Sequence, residues 1–152
     1  MKIFELTKYL EDWMPSEIAW IKDNVGLQVG SLQNEMGNIL ICLDVNSRVI
    51  DEALRQNCNL IISHHPLLFN PIKKIDIAKD TTSQIIHQLI KNNLTLISYH
   101  TNFDFTKDGV SFQLAKTIGL KDIKFLSHLN ENQYKLVVFV PVNSVKKVSE
   151  AI

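Results

Sequence analysis

"NILICLDVNSRVIDEALRQNCNLIISHHP", residues 38–66, is the stretch that decides the fold. Residues 38–45 form a continuous apolar run rich in β-formers, the pattern of a strand buried on both faces. The following "SRVIDEALRQN" (47–57) places Val49, Ile50, Ala53 and Leu54 on one helical face, with Asn46 or Ser47 capping its start. "LIIS" (60–63) is then a second short buried strand. A strand, a helix and a strand in succession make a βαβ unit, whose two strands run parallel.

The same rhythm continues on either side. "TSQIIHQLIKN" (82–92) reads as a helix and "LTLISYH" (94–100) as another strand. "DGVSFQLAKTIGL" (108–120) is a further helix, with Asp108 as its expected cap and Gly119 just past its end. Upstream, Ile3, Phe4, Leu6, Tyr9, Leu10 and Trp13 recur at helical spacing until Pro15 stops the pattern. The expected class is therefore α/β: a mainly parallel sheet with helices on both faces. "KDNVGLQVG" (22–30) reads as turn chemistry around Asn24 and Gly26; without a Lys-Ser/Thr ending it is not a phosphate loop. From residue 130 the rhythm changes. A polar connector leads to a strand (Lys135–Val140), a turn at Pro141 and a helix capped by Asn143 or Ser144, with the last residue falling mid-helix. A βα unit without partner strands buries little, so the chain is expected to be a piece of a longer protein.

Composition narrows the function classes. The 152 residues carry 16 Lys and Arg against 16 Asp and Glu, leaving no positive excess to displace counterions from a nucleic-acid backbone. Hydrophobic residues make up 45% and charged residues 21%, ordinary for a globular protein, and no apolar run has the roughly 20 residues of a membrane span. The N-terminal "MKIFELTKYLEDWM" interrupts its apolar residues with acidic ones and lacks a cleavage site, so a cytoplasmic location is expected. Cys42 and Cys58 have no metal-knuckle spacing and read as reduced structural thiols.

In open α/β sheets, ligands are held at the carboxyl ends of the strands. Three predicted strands end in polar residues there: the first near Asp44, the second at His64 and His65, the third at His100 with Asp104 four residues on. Imidazole and carboxylate are ligands for zinc, iron, manganese or nickel, which makes His64, His65 and Asp104 a candidate set from two neighbouring loops. Adjacent histidines project differently, a geometry suited to two ions about 3.5–4 Å apart, a recurrent hydrolytic arrangement. The plainer reading is a polar strand end, which the pairing with His100 and Asp104 makes less economical. His87, mid-helix, and His128, in a loop, take the structural reading. Asp44 reads first as a turn or cap residue and second as a carboxylate orienting a histidine. Ser63 adjoins a histidine, but nothing around it forms a nucleophile elbow.

"DNVGLQVG", "CLDVNSRVIDEALRQNCNLIISHHPLLFNPIKKI" and "ISYHTNFD" together resemble the Nif-three-like family (Nif3-like), whose members carry the label GTP cyclohydrolase type-2 homologue. The resemblance spans residues 1–128 and implies an α/β fold, two divalent metal ions per subunit in a cleft, and a toroidal homohexamer. By matching motif it makes His64, His65 and Asp104 metal ligands, and His100 a pocket histidine that acts as acid or base on an activated water. The family completes its site with a His and a Glu from a second half of the fold, which residues 1–152 do not contain. "KLVVFVPVNSVKKVSEAI" is similar to the first strand and helix of the PII-like, ferredoxin-like domain that many members carry as an insert. Residues 1–128 are thus expected to be one α/β domain and 129–152 the start of that insert. Lys22 is a departure, since an aromatic residue is common there; Trp20 lies two residues earlier.

Two functions follow from the resemblance. One is a metal-dependent hydrolase acting on a nucleotide-like substrate, with water attacking C8 of guanine in the GTP case. The other is a non-catalytic metal-binding, storage or regulatory protein. A phosphoesterase of the Asp-His-His type ranks below both, because Ser63 stands where that motif has its aspartate.

Overall fold

The computed structural model describes residues 1–125 and 137–151. In chain order the elements are α1 (Ile3–Trp13), β1 (Gly26–Val29), β2 (Asn38–Cys42), α2 (Ser47–Arg55), β3 (Cys58–Ser63), α3 (Thr81–Lys91), β4 (Thr95–Ser98), α4 (Thr101–Asp104), α5 (Val110–Thr117) and α6 (Val145–Ser149). The strands form one sheet in the order β1-β4-β3-β2. β2 with β3 and β3 with β4 are parallel, joined through α2 and α3, while β1 pairs antiparallel with β4 at the edge. The expected α/β class with a mainly parallel sheet is what the chain adopts.

Period-two alternation divides the apolar side chains between two layers. Ile61 and Leu96 join Ile50 and Ala53 of α2 and Ile85, Ile86 and Leu89 of α3 on one face. Leu60 and Ile97 pack with Ile3, Leu6, Leu10 and Met14 of the α1 region on the other. Helices thus cover both faces, with one gap. Leu40 and Cys42 of β2 lean on the first layer, so Ile39 and Ile41 point to the α1 side, where α1 does not reach. Ile41 is 78% exposed there.

The caps follow local chemistry. Asn46 rather than Ser47 caps α2, its side chain accepting from the Val49 N–H at 3.1 Å. Asp80 caps α3 through the Ser83 N–H at 2.7 Å and the Ser83 hydroxyl at 2.6 Å. Gly119, at φ +82°, ends α5 with the Gly119 and Leu120 N–H groups turned back onto Lys116 and Ala115. Asp108 does not cap α5 as expected. It lies in the left-handed region at φ 63° and its carboxylate accepts from Lys116 Nζ at 2.6 Å, while Gly109 takes the cap position. Gly109 is dictated by space, since a Cβ there would stand 2.0 Å from the Phe103 carbonyl oxygen.

Two further expectations change. The segment read as a turn around Gly26 is the strand β1, entered through Gly26 at φ +89°. Residues 137–140, expected to be part of a strand, are not in one, whereas the following helix is present as a 3-10 turn (Val142–Ser144) running into α6. The rest of that strand, His128 and the expected 128/129 domain boundary lie outside the described residues.

Candidate metal centre

The carboxyl ends of β2, β3 and β4 carry the candidate residues, and backbone hydrogen bonds fix their positions. The parallel ladder runs past β3: the His64 N–H donates to the Cys42 carbonyl at 3.1 Å and the His65 N–H to that of Leu43 at 2.9 Å. Ser63, next to them, is buried and donates its hydroxyl proton to the His65 carbonyl at 2.9 Å. A hydroxyl has one proton, so the Ser98 hydroxyl, 2.7 Å away, is the donor to Ser63. Ser63 therefore supports the turn from within and has no access to a substrate.

At the end of β4 the chain turns directly into the single-turn helix α4. The His100 carbonyl accepts from the Phe103 and Asp104 N–H groups at 2.9 and 3.1 Å, which brings His100 and Asp104, four residues apart, onto one side. Asn102, fully buried, fastens this turn to the rest of the fold: its Oδ1 accepts from the His100 N–H and its Nδ2 donates to the Met14 carbonyl.

His64, His65 and His100 come together here. Each can offer a ring nitrogen within 4.8 Å of those of the other two, and the ring centroids are 5.1–5.5 Å apart. Asp104 stands at the edge of the cluster, its Oδ1 3.6 Å from His64 Nε2. Every one of the three rings has its Nδ1 engaged. His64 Nδ1 donates to the Tyr99 carbonyl at 2.9 Å, His65 Nδ1 to Asp44 Oδ1 at 2.8 Å, and His100 Nδ1 to the Asp23 carboxylate at 3.0 Å. A carbonyl or carboxylate can only accept, so each ring carries a proton on Nδ1, and in the neutral ring the lone pair is then on Nε2. Metal-binding histidines are held in this way, by an acceptor on the nitrogen away from the ion. The donor set thus fits a divalent cation among the three imidazoles and Asp104.

The sequence-based set is brought together, with His100 inside the same cluster as His64 and His65. Asp44 does not cap α2; it takes the orienting position on His65. His87 lies outside the cluster, on α3. Asp23 was not singled out by sequence and has the most enclosed carboxylate of the group, with no exposed side-chain surface. Burial pushes its carboxyl up, and hydrogen bonds from His100, Thr101 and Asn24 outweigh that, leaving it below the ordinary aspartate range. "DNVGLQ" also ties down the loop after the histidine pair: Asn24 Nδ2 donates to the Leu68 carbonyl at 2.6 Å, and Gln28 Oε1 accepts from the Leu68 N–H at 3.1 Å. Cys42 and Cys58 are free thiols packed in the core, and burial, with Asp44 adding to it, pushes Cys42 up to about 11. An open apolar cavity of about 350 Å³ adjoins His64, walled by Trp13, Ile41, Leu43, Tyr99 and Phe103.

Fold and site define an α/β protein with a histidine cluster, suited to a metal ion, at the carboxyl edge of a mainly parallel sheet. Residues 1–152 match the family model described as Duf34/NIF3 (NGG1p interacting factor 3), and the chain belongs to that family. It is 42% identical over 144 residues to a GTP cyclohydrolase 1 type 2 homolog of Halalkalibacterium halodurans, an alignment covering 93% of this chain and 38% of that protein. A protein of the same name from Staphylococcus epidermidis is 38% identical over 152 residues, covering 100% of this chain and 41% of the relative. Among solved structures, a Bacillus cereus protein related to NIF3 superposes with a TM-score of 0.79 at 38% identity, over 84% of this chain and 35% of its own. Reduced HcgD from Methanocaldococcus jannaschii gives 0.76 at 33% identity, over 85% of this chain and 51% of its own. The chain spans about two fifths of the length of these curated relatives. Among the described residues no helix is long and apolar enough to cross a membrane.

Proposed function

We propose that this chain supplies one half of a site for two divalent cations and that the complete protein is a metal-dependent hydrolase acting on a nucleotide-like substrate. The observation that carries the reading is the gathering of three imidazoles whose ring nitrogens come within 4.8 Å of one another, each with Nδ1–H given to an acceptor so that Nε2 is the nitrogen left for an ion. Divalent ions bound there would supply the Lewis acidity that makes water a nucleophile near neutral pH. His64, His65 and Asp104 are the assigned ligands, with the further His and Glu to come from outside residues 1–152. His100 is assigned the proton: with Nδ1–H given to Asp23, the Nε2 of the neutral ring can take one from water as the oxygen attacks an electrophilic carbon. The names of the relatives, GTP cyclohydrolase 1 type 2 homolog, support a nucleotide as the substrate class. Zinc, iron and manganese all suit such ligands.

The test is elemental analysis and turnover of the full-length protein, loaded with each of these metals, against a nucleotide panel. His65→Ala is expected to lose metal. His100→Ala is expected to keep its metal and lose hydrolysis. Metal binding without turnover on any substrate would favour the storage or regulatory role, and a wild-type protein that holds no metal would end both readings. Homo-oligomerisation, as a hexamer, belongs to the same proposal and is supported by the exposed apolar row Ile39, Ile41 and Leu43 beside the site. Sedimentation equilibrium checks it.

A further inference from the structure

The enclosed Asp23 carboxylate has more donors than an orienting contact requires. Its Oδ1 accepts from the Asn24 N–H at 2.8 Å and its Oδ2 from the Thr101 N–H at 3.1 Å, with the Thr101 hydroxyl also donating to Oδ2. His100 Nδ1 lies 3.0 Å from both oxygens. The Trp20 N–H donates to the Thr101 hydroxyl oxygen at 2.9 Å, so the segment before β1 is fastened to the start of α4 at Trp20 as well as at Asp23. His64 is oriented by a backbone carbonyl and His65 by the half-exposed Asp44; only His100 is held by a carboxylate that solvent does not reach.

We infer that Asp23 is a positioning residue for His100: it holds the ring as the Nδ1–H tautomer and thereby leaves the lone pair of the neutral ring on Nε2. This inference rests on the proposed role of His100 as the proton acceptor, and it adds the group on which that role depends. Without the clamp a neutral imidazole can carry its proton on either nitrogen, and the Nε2–H form cannot take a proton from water. The two backbone N–H groups make the carboxylate specific. An asparagine has one oxygen for two backbone N–H donors, so its NH₂ must face one of them, and Nδ1 then has an amide N–H as well as an amide oxygen within reach. Asp23→Asn therefore no longer excludes the Nε2–H form, while changing shape very little.

The test is nitrogen-15 NMR of histidine-labelled, metal-free chain at about pH 9, above the ordinary histidine range, with the His100 resonances assigned by comparison with His100→Ala. In the wild type the expected result is a pyrrole-type Nδ1 and a pyridine-type Nε2. In Asp23→Asn the Nε2–H form should become a major species. Thr101→Val, which removes one donor to Asp23 and leaves the carboxylate in place, should retain the wild-type tautomer. A wild-type His100 that is Nε2–H or doubly protonated overturns the inference, and so does an unchanged tautomer in Asp23→Asn. A tautomer shift in Thr101→Val equal to that in Asp23→Asn also overturns it, because the effect would then be general loosening. Zinc titration of the full-length protein keeps the two readings apart: failure of the wild type to bind sinks the proposed metal site without altering the tautomer result, and the converse outcome removes Asp23 alone.

Discussion

Ser63 and Ser98 lie beneath the histidines with almost no exposure, and their hydroxyls form a chain ending on the His65 carbonyl. Removing the Ser63 hydroxyl takes away the 2.9 Å bond to the His65 carbonyl, which the Ser98 hydroxyl at 3.5 Å replaces only weakly, a loss of about 1–3 kcal/mol. Ser63→Ala should therefore lower stability by that order in urea denaturation while leaving the fold intact. At this scale the histidines were legible because strand ends in an open α/β sheet converge, so His64, His65, His100 and Asp104 could be placed together from the sequence. Asp23 was not. Its neighbour sequence "KDNVG" reads as a turn, and a carboxylate in a turn has no assigned neighbour until the strand beyond it is paired. Once Gly26 is opposite Ser98 in an antiparallel ladder, three residues back from one meets three residues on from the other, and Asp23 arrives at Thr101.

The elements α2, β3 and α3 were legible to within two residues at each end, because periodicity marks all three and caps mark the helices. Asn46 both ends the β2 turn and satisfies the first turn of α2, so Asn46→Ala should cost about 0.5–2 kcal/mol in thermal or chemical denaturation. The α3 cap behaves differently with pH. Hydrogen bonds from the Ser83 hydroxyl and N–H hold the Asp80 carboxyl below the ordinary aspartate range. The stabilisation it gives is complete above the pKa of an unfolded aspartate and disappears as pH falls through the lower folded value. The stability gap between wild type and Asp80→Ala should accordingly narrow on acidification; a gap independent of pH across that interval would show that the charged cap contributes nothing. β1 was missed because four residues bracketed by glycines at positive φ carry too little alternation to register as a strand. Its pairing is supplied by β4, which is a tertiary fact. Asp108 went the other way: a good capping residue by type, it is drawn off by Lys116 in a backbone conformation that a cap does not use.

On the scale of the whole molecule, the sheet is well covered on its α2 and α3 side and partly covered by α1 on the other. The side left open is the one that carries Ile39, Ile41 and Leu43, next to the cavity beside His64. The relatives extend well beyond the matched region, and a complete coordination shell is expected only in the full-length protein. Half a shell is still a definite object. The most direct measurement is a crystal of this chain grown with stoichiometric zinc and recorded at the zinc absorption edge. An anomalous peak is expected about 2.0–2.2 Å from Nε2 of His64 or His65, or from an Asp104 oxygen. Zinc peaks elsewhere on the surface with none among these side chains, or zinc on Nδ1 in place of Nε2, would contradict it.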